Sequence, residues 1–172
     1  RIFLLFGYHG SSDREALHMP NSDYDLKLRS YRVPLIIYGP EIVESDVEIN
    51  DVSQLVDILP TVLGLTGKPY QNRTLGRDLL NGQISNNYLT FITNNKMAKP
   101  HTAVLGEKYY LSKAYNGRIK LHDITSNKPL VNIARKHPDI TKEYLKRLNA
   151  IYETSKYIKP SEKTTDYAYM FI

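Results

Sequence analysis

The sequence predicts an α/β fold in two parts, a sheet-and-helix core segment followed by a small antiparallel β module with a closing C-terminal helix. Three observations carry this expectation. An apolar run, Ile2-Phe3-Leu4-Leu5-Phe6, stops at Gly7-Tyr8-His9-Gly10. A helical stripe with start and stop signals lies near residues 51 to 67. From about Tyr88 the texture changes to short strand-like runs around an Asn116-Gly117 pair, and a long amphipathic segment follows.

The elements follow in order. A short apolar run bounded by glycine reads as a buried strand of a parallel sheet, and loops at the carboxyl ends of such strands carry ligands. His9 therefore sits where an α/β enzyme places a metal ligand or an acid/base group. Residues 8 to 30 form a polar segment without sustained period, holding His9, Asp13, Glu15, His18, Asp23 and Asp25. A loop of that length is expected to be functional or mobile. Tyr31 to Tyr38 is a second apolar run, ended by Gly39-Pro40, and Pro34 suits a strand start or an edge.

Leu55, Ile58, Leu59, Val62 and Leu63 keep the spacing of a buried helical stripe. With Asp57 as N-cap, Pro60 falls in the first turn, where its missing N–H had no helical partner. Gly67 and Pro69 supply the stop. Gly76-Arg77-Asp78-Leu79-Leu80 is expected to add a short helical turn. Tyr88 to Thr93, Ala103 to Leu105, Lys108 to Lys113 and Arg118 to Asp123 read as strands, with Asn116-Gly117 as a hairpin turn favouring positive φ at both positions. Pro138 to Lys156 reads as a helix with Ile140, Tyr144, Leu145, Leu148, Ile151 and Tyr152 along one face. The organisation expected is a core segment over 1–86, the antiparallel module with its helix over 87–158, and a tail over 159–172.

A chain of 172 residues can bury one core, and its 41% apolar and 24% charged composition is ordinary for a globular protein. The net charge of +5 is scattered, without the basic stripe and interleaved aromatics of a nucleic-acid binder. The absence of cysteine rules out disulfides, thiolate metal sites and a cysteine nucleophile. No apolar stretch approaches the ~20 residues that span a bilayer. Arg1 stands directly before a strand without a start methionine, which reads as a fragment boundary.

Several segments, in order, resemble the C-terminal part of the sulfatase-like branch of the alkaline phosphatase superfamily. Phe6-Gly7-Tyr8-His9-Gly10 is similar to a strand ending in Gly-Asp-His-Gly, and His18-Met19-Pro20 to a later loop histidine. Arg32-Val33-Pro34 leads the next strand, and Val56-Asp57-Ile58-Leu59-Pro60-Thr61 resembles the Asp-Ile-x-Pro-Thr start of a helix. Gly76-Arg77-Asp78-Leu79-Leu80, His122-Asp123-Ile124, Asn132-Ile133-Ala134 and Pro138 resemble the remaining steps. The resemblance covers roughly residues 2 to 155, and its flavour is similar to lipoteichoic acid synthase and phosphoglycerol or phosphoethanolamine transferases.

This resemblance implies displacement at sulfur or phosphorus by a Thr, Ser or formylglycine nucleophile, assisted by a divalent metal such as Mn, Zn, Mg or Ca. It implies an anionic ester substrate, including a lipid-linked one, and a parent protein outside the cytoplasm that is membrane-anchored in some relatives. It makes His9 a metal ligand, with Tyr8 at the usual Asp position. A phenol of reference pKa ~10 is a poor replacement for a carboxylate. The bland alternative is a hydrogen-bonded loop histidine in a degenerate site. His18 aligns with a histidine near metal or the anionic group, against a plain solvated side chain. Arg32 orients the loop or touches an anionic headgroup, with a structural ion pair as the simpler role. Asp13, Asp23 and Asp25 are candidates to supply the carboxylate lost at Tyr8, with solubility and local capping as the expected role. His101, His122 and His137 match no ligand pattern, and Asn72-Arg73-Thr74 is a sequon of the kind that arises by chance. The nucleophile and the first metal carboxylates would lie upstream, in a missing N-terminal half, so the chain is expected to be inert alone. The competing reading is a non-catalytic binding or scaffold domain of the same fold.

Overall fold

Alternation along the late strands dictates a sheet with two buried faces, and that sheet is the centre of the molecule. The computed structural model describes residues 1–10, 20–42, 46–81, 88–94 and 101–158. Strands β3 (Thr90–Asn94), β4 (His101–Leu105), β5 (Tyr109–Ala114) and β6 (Ile119–Asp123) form a four-stranded antiparallel meander in sequence order. Successive residues face opposite sides. Val104 and Leu111 point one way, joining Leu89, Leu121 and Leu148 of the last helix in one buried cluster. Ala103 and Tyr110 point the other way, joining Ile92 and Leu28 in a second.

The expected hairpin between β5 and β6 forms, with a different turn. Only Gly117 has positive φ, at 79°, while Gly117 N–H donates to Ala114 O at 2.9 Å. That is a turn followed by a left-handed glycine bulge, which needs one permissive residue where the expected turn needs two. Helix α3 (Pro138–Tyr157) follows the expected range, with Pro138 in its first turn and Leu148 buried. Between β6 and α3, Asn132 Oδ1 accepts from the Leu121 and Ala134 N–H groups, both at 3.1 Å, tying the connection to the sheet.

Strand β1 (Phe3–Phe6) corrects the expectation of a buried parallel strand. It pairs antiparallel with β2 (Leu35–Tyr38) in a two-stranded sheet, Phe3 facing Tyr38 and Phe6 facing Leu35. Its four side chains are 37% to 57% exposed. Apolar patterning reports the burial a strand requires, not the element that supplies it. Among the described residues only β2 pairs with β1, so both faces stay open.

The polar stretch after β1 is also more structured than expected. Its described part contains α1 (Asn21–Asp25) and a 3-10 turn at Leu28–Tyr31, entered through Lys27 at φ 58°. Residues 11–19, which include His18 and Asp13, lie outside the described residues, as do the expected boundary at 86/87 and the tail over 159–172.

The helical stripe near 51–67 resolves into a 3-10 turn (Leu55–Asp57) and α2 (Ile58–Leu65), with Gly67 left-handed at φ 64°. Asp57 precedes α2 without capping it through its side chain. The carboxylate instead caps the preceding 3-10 turn, where Gln54 and Asp57 form a reciprocal capping box. Over 76–80 only a turn at Leu79 and Leu80 forms, in place of the expected helical step.

Candidate functional site

The turn after β1 is held from two sides. Gly7 N–H donates to Pro34 O at 3.2 Å, fixing it to the entry of β2. Gly10 N–H donates to Ser30 O at 2.9 Å, fixing it to the 3-10 turn. A Cβ at Gly10 would stand 2.0 Å from Arg29 O and 2.7 Å from Arg32 O, so only glycine permits this approach. Between these anchors Tyr8 projects into solvent, 86% exposed, and meets the His9 ring edge-on at 5.7 Å.

His9 is exposed, with Nδ1 3.0 Å from Gly10 O. Because a carbonyl oxygen only accepts, this contact calls for the proton on Nδ1, and in the neutral ring Nε2 is then the acceptor nitrogen. Such a tautomer suits a metal ligand. Among the described residues no group of three or more His, Cys, Asp or Glu converges to hold an ion. The donors around this turn therefore fit one imidazole ligand and do not by themselves complete a shell.

Arg32 and Asp23 are brought together beside this turn. Arg32 Nε lies 2.9 Å from Asp23 Oδ2, with the Asp23 side chain 2% exposed and that of Arg32 mostly open. Asp23 is thus a buried ion-pair partner, which corrects its expected role in solubility and capping. Its Oδ1 is buried with no hydrogen-bond partner among the described residues. Asp25 is half-buried within α1. Arg32 thus forms a structural ion pair while its side chain stays mostly exposed.

A second polar cluster was only partly legible. Asp57, fully buried, accepts from Gln54 N–H at 2.8 Å, Arg77 N–H at 2.9 Å and Tyr88 O–H at 3.0 Å. The Tyr88 hydroxyl in turn accepts from Gln54 Nε2, and the Arg77 guanidinium lies 3.8 Å over the Tyr88 ring. Burial pushes the Asp57 carboxyl above its usual range, opposed in part by the bonds from Gln54, Arg77 and Tyr88. Burial also raises the Tyr88 phenol, which stays protonated and donates. Thr61 extends the knot, its hydroxyl donating to Asp57 O at 2.7 Å and accepting from Leu79 N–H at 3.0 Å. The Asp57 carboxylate, the Tyr88 phenol and the Thr61 hydroxyl all serve partners within the chain, while the buried Arg77 Nε has none among the described residues. The cluster is a clasp joining the 3-10 turn and α2 to the entry of β3.

His122, unassigned from sequence, is buried in the four-stranded sheet. Its Nδ1 lies 2.8 Å from Pro129 O and its ring stacks on Tyr110 at 6.2 Å. Burial lowers its pKa. A cleft of about 240 Å³ opens elsewhere, between the β4–β5 turn and α3, lined by Tyr109, Tyr144, Glu107 and Arg147 among others.

No protein-family model and no curated protein matches this sequence. Solved structures do match. A crystal structure of a protein named as a sulfatase from Bacteroides thetaiotaomicron superposes with a TM-score of 0.61 at 19% identity, over 93% of this chain and 38% of that one. The chain has a sulfatase-like fold. A 2-O GAG sulfatase gives 0.60 at 18% identity, again over 93% and 38%. A protein solved in complex with its substrate D-glucosamine-2-N,6-O-disulfate gives 0.54 at 19%, over 79% of this chain and 31% of that one. The chain thus corresponds to about a third of each neighbour, a C-terminal portion of the sulfatase-like fold.

Proposed function

We propose that this chain is the C-terminal part of a metal-dependent sulfatase-family enzyme acting on a sulfate or phosphate ester. The observation that supports this most is the His9 turn. It stands at the carboxyl end of β1, clamped to the entry of β2 and the 3-10 turn, in a chain whose structural neighbours include a 2-O GAG sulfatase and a protein solved with a sulfated glucosamine substrate. His9 supplies one ligand through Nε2, and a divalent ion, when bound, stabilises negative charge developing on the ester oxygens. Arg32, kept beside the turn by Asp23, adds positive potential for an anionic substrate. The nucleophile and the remaining ligands belong to the rest of the sulfatase fold, which also covers both faces of β1 and β2. On this reading the parent works outside the cytoplasm, on substrates that include lipid-linked ones. Its finer kinship is to the phosphoglycerol and phosphoethanolamine transferases.

One observation favours a second reading, a non-catalytic scaffold of the same fold. Tyr8 occupies the position where the resemblance expects a metal-binding Asp, and its phenol lies in open solvent. Calorimetry with zinc and manganese separates the two, on the chain as it stands, Tyr8→Asp and His9→Ala. The enzyme reading expects Tyr8→Asp to gain affinity and His9→Ala to lose it. Equal, absent binding in all three contradicts a ligand role for His9 in this chain. Turnover of nitrophenyl sulfate or phosphate by the chain alone would contradict the upstream placement of the nucleophile.

A further inference from the structure

We propose that Leu28 is a positioning residue that couples the four-stranded sheet to the turn carrying His9. The link is built from contacts of two kinds on one short element. Leu28, 1% exposed, is seated among Ile92, Ala103 and Tyr110 of the sheet, with Leu26, Leu105 and Ile124 packed around it. It opens the 3-10 turn, and the left-handed Lys27 before it turns the chain out of α1 into that seat. Ser30 Oγ donates back to Lys27 O at 2.8 Å, closing the turn on itself.

The other end of the turn presents carbonyls. Ser30 O accepts from Gly10 N–H, while Arg29 O and Arg32 O leave no room for a Cβ at Gly10. Gly10 O in turn faces His9 Nδ1 and sets the ring's orientation. A continuous path therefore runs from the sheet core through Leu28, the turn carbonyls and Gly10 to the imidazole. Close-packed interiors transmit small displacements, so a void at Leu28 lets the turn shift and loosens its grip on Gly10. Asp23 and Arg32 brace the same segment but leave the seat in the sheet to Leu28 alone among these residues.

The functional consequence rests on the proposed ligand role of His9; the mechanical coupling does not. The test compares Leu28→Ala with Leu148→Ala in the full chain, the second variant opening a void in the opposite face of the same sheet. Amide exchange at Gly10 is the first readout, expected to be about tenfold or more faster in Leu28→Ala than in Leu148→Ala. Zinc affinity is the second, expected to fall in Leu28→Ala alone. Equal exchange at Gly10 in the two variants overturns the coupling. Should either alanine variant fail to fold, Leu28→Val and Leu148→Val make the same comparison with smaller voids. Zinc binding in no variant, with the exchange difference intact, removes the metal reading of His9 and leaves the coupling standing.

Discussion

The β1–β2 sheet and the β3–β6 sheet contain similar apolar strands, yet only one of them is closed. The four-stranded sheet buries Val104, Leu111 and Leu121 against α3 on one face, and Ala103 and Tyr110 against Leu28 on the other. The two-stranded sheet exposes Phe3, Leu5, Ile36 and Tyr38, each more than half open to solvent. Among the described residues, therefore, the buried core lies around the four-stranded sheet, and the strand pair that leads to His9 leaves its apolar surface open. Exposed apolar area of this kind marks an interaction surface or an aggregation liability.

The largest effect that would break this contrast comes from parallel truncations. Leu111→Ala is expected to cost about 2–5 kcal/mol, whereas Leu5→Ala in the open sheet should stay within about 0.5 kcal/mol, read by urea unfolding. Similar costs at the two positions would mean that β1 is covered after all, by self-association, and the loss would then depend on protein concentration. Next comes the clasp. Asp57→Ala leaves Arg77 N–H, Gln54 N–H and the Tyr88 hydroxyl without an acceptor, with an expected cost of about 2–3 kcal/mol. Retained stability in that variant would show that α2 and β3 hold together without it. Arg32→Ala is expected to cost less, about 1–2 kcal/mol, because solvent screens the exposed guanidinium although Asp23 is buried.

The smallest effect is a pH dependence confined to the closed sheet. His122 is packed by Tyr110, is held below its usual range by burial and by the nearby Lys120 cation, and faces the Pro129 and Val131 backbone, which oppose that shift. Its folded pKa lies below the ordinary 6.5, so the unfolded chain binds the extra proton first. Its contribution is complete above that value and is lost as pH falls below it. Urea midpoints should decline on acidification from neutrality, and His122→Gln should flatten the slope. Asp57 works in the opposite sense, since its raised pKa favours the folded state at the acid end, and that advantage fades as pH rises.

The comparison also explains what the sequence could reveal. The closed module was legible because its period-two and helical patterns report burial supplied from within the chain; strands, hairpin and α3 all lie close to expectation. The direction of β1 was not legible, because an apolar run carries no information about its neighbours. Asp57 stood out in the sequence as the N-cap of α2, but its carboxylate caps the preceding 3-10 turn instead and accepts from three donors in residues up to 31 positions away. Asp23 lacked any signal of burial, since its partner Arg32 becomes adjacent only through α1 and the 3-10 turn. His122 next to Asp123 resembled a motif step, and only the stacked Tyr110 shows why an imidazole sits there. For His9 the sequence supplied the residue and its place at the end of β1. The Nδ1 contact with Gly10 O, which frees Nε2, needed coordinates.

The most direct test of the central claim is a zinc titration of the isotopically labelled chain, followed at the histidine ring nitrogens. The account predicts a shift at His9 Nε2 that is enlarged in Tyr8→Asp and abolished in His9→Ala. Zinc that perturbs His101 or His137 while leaving His9 unmoved would contradict it.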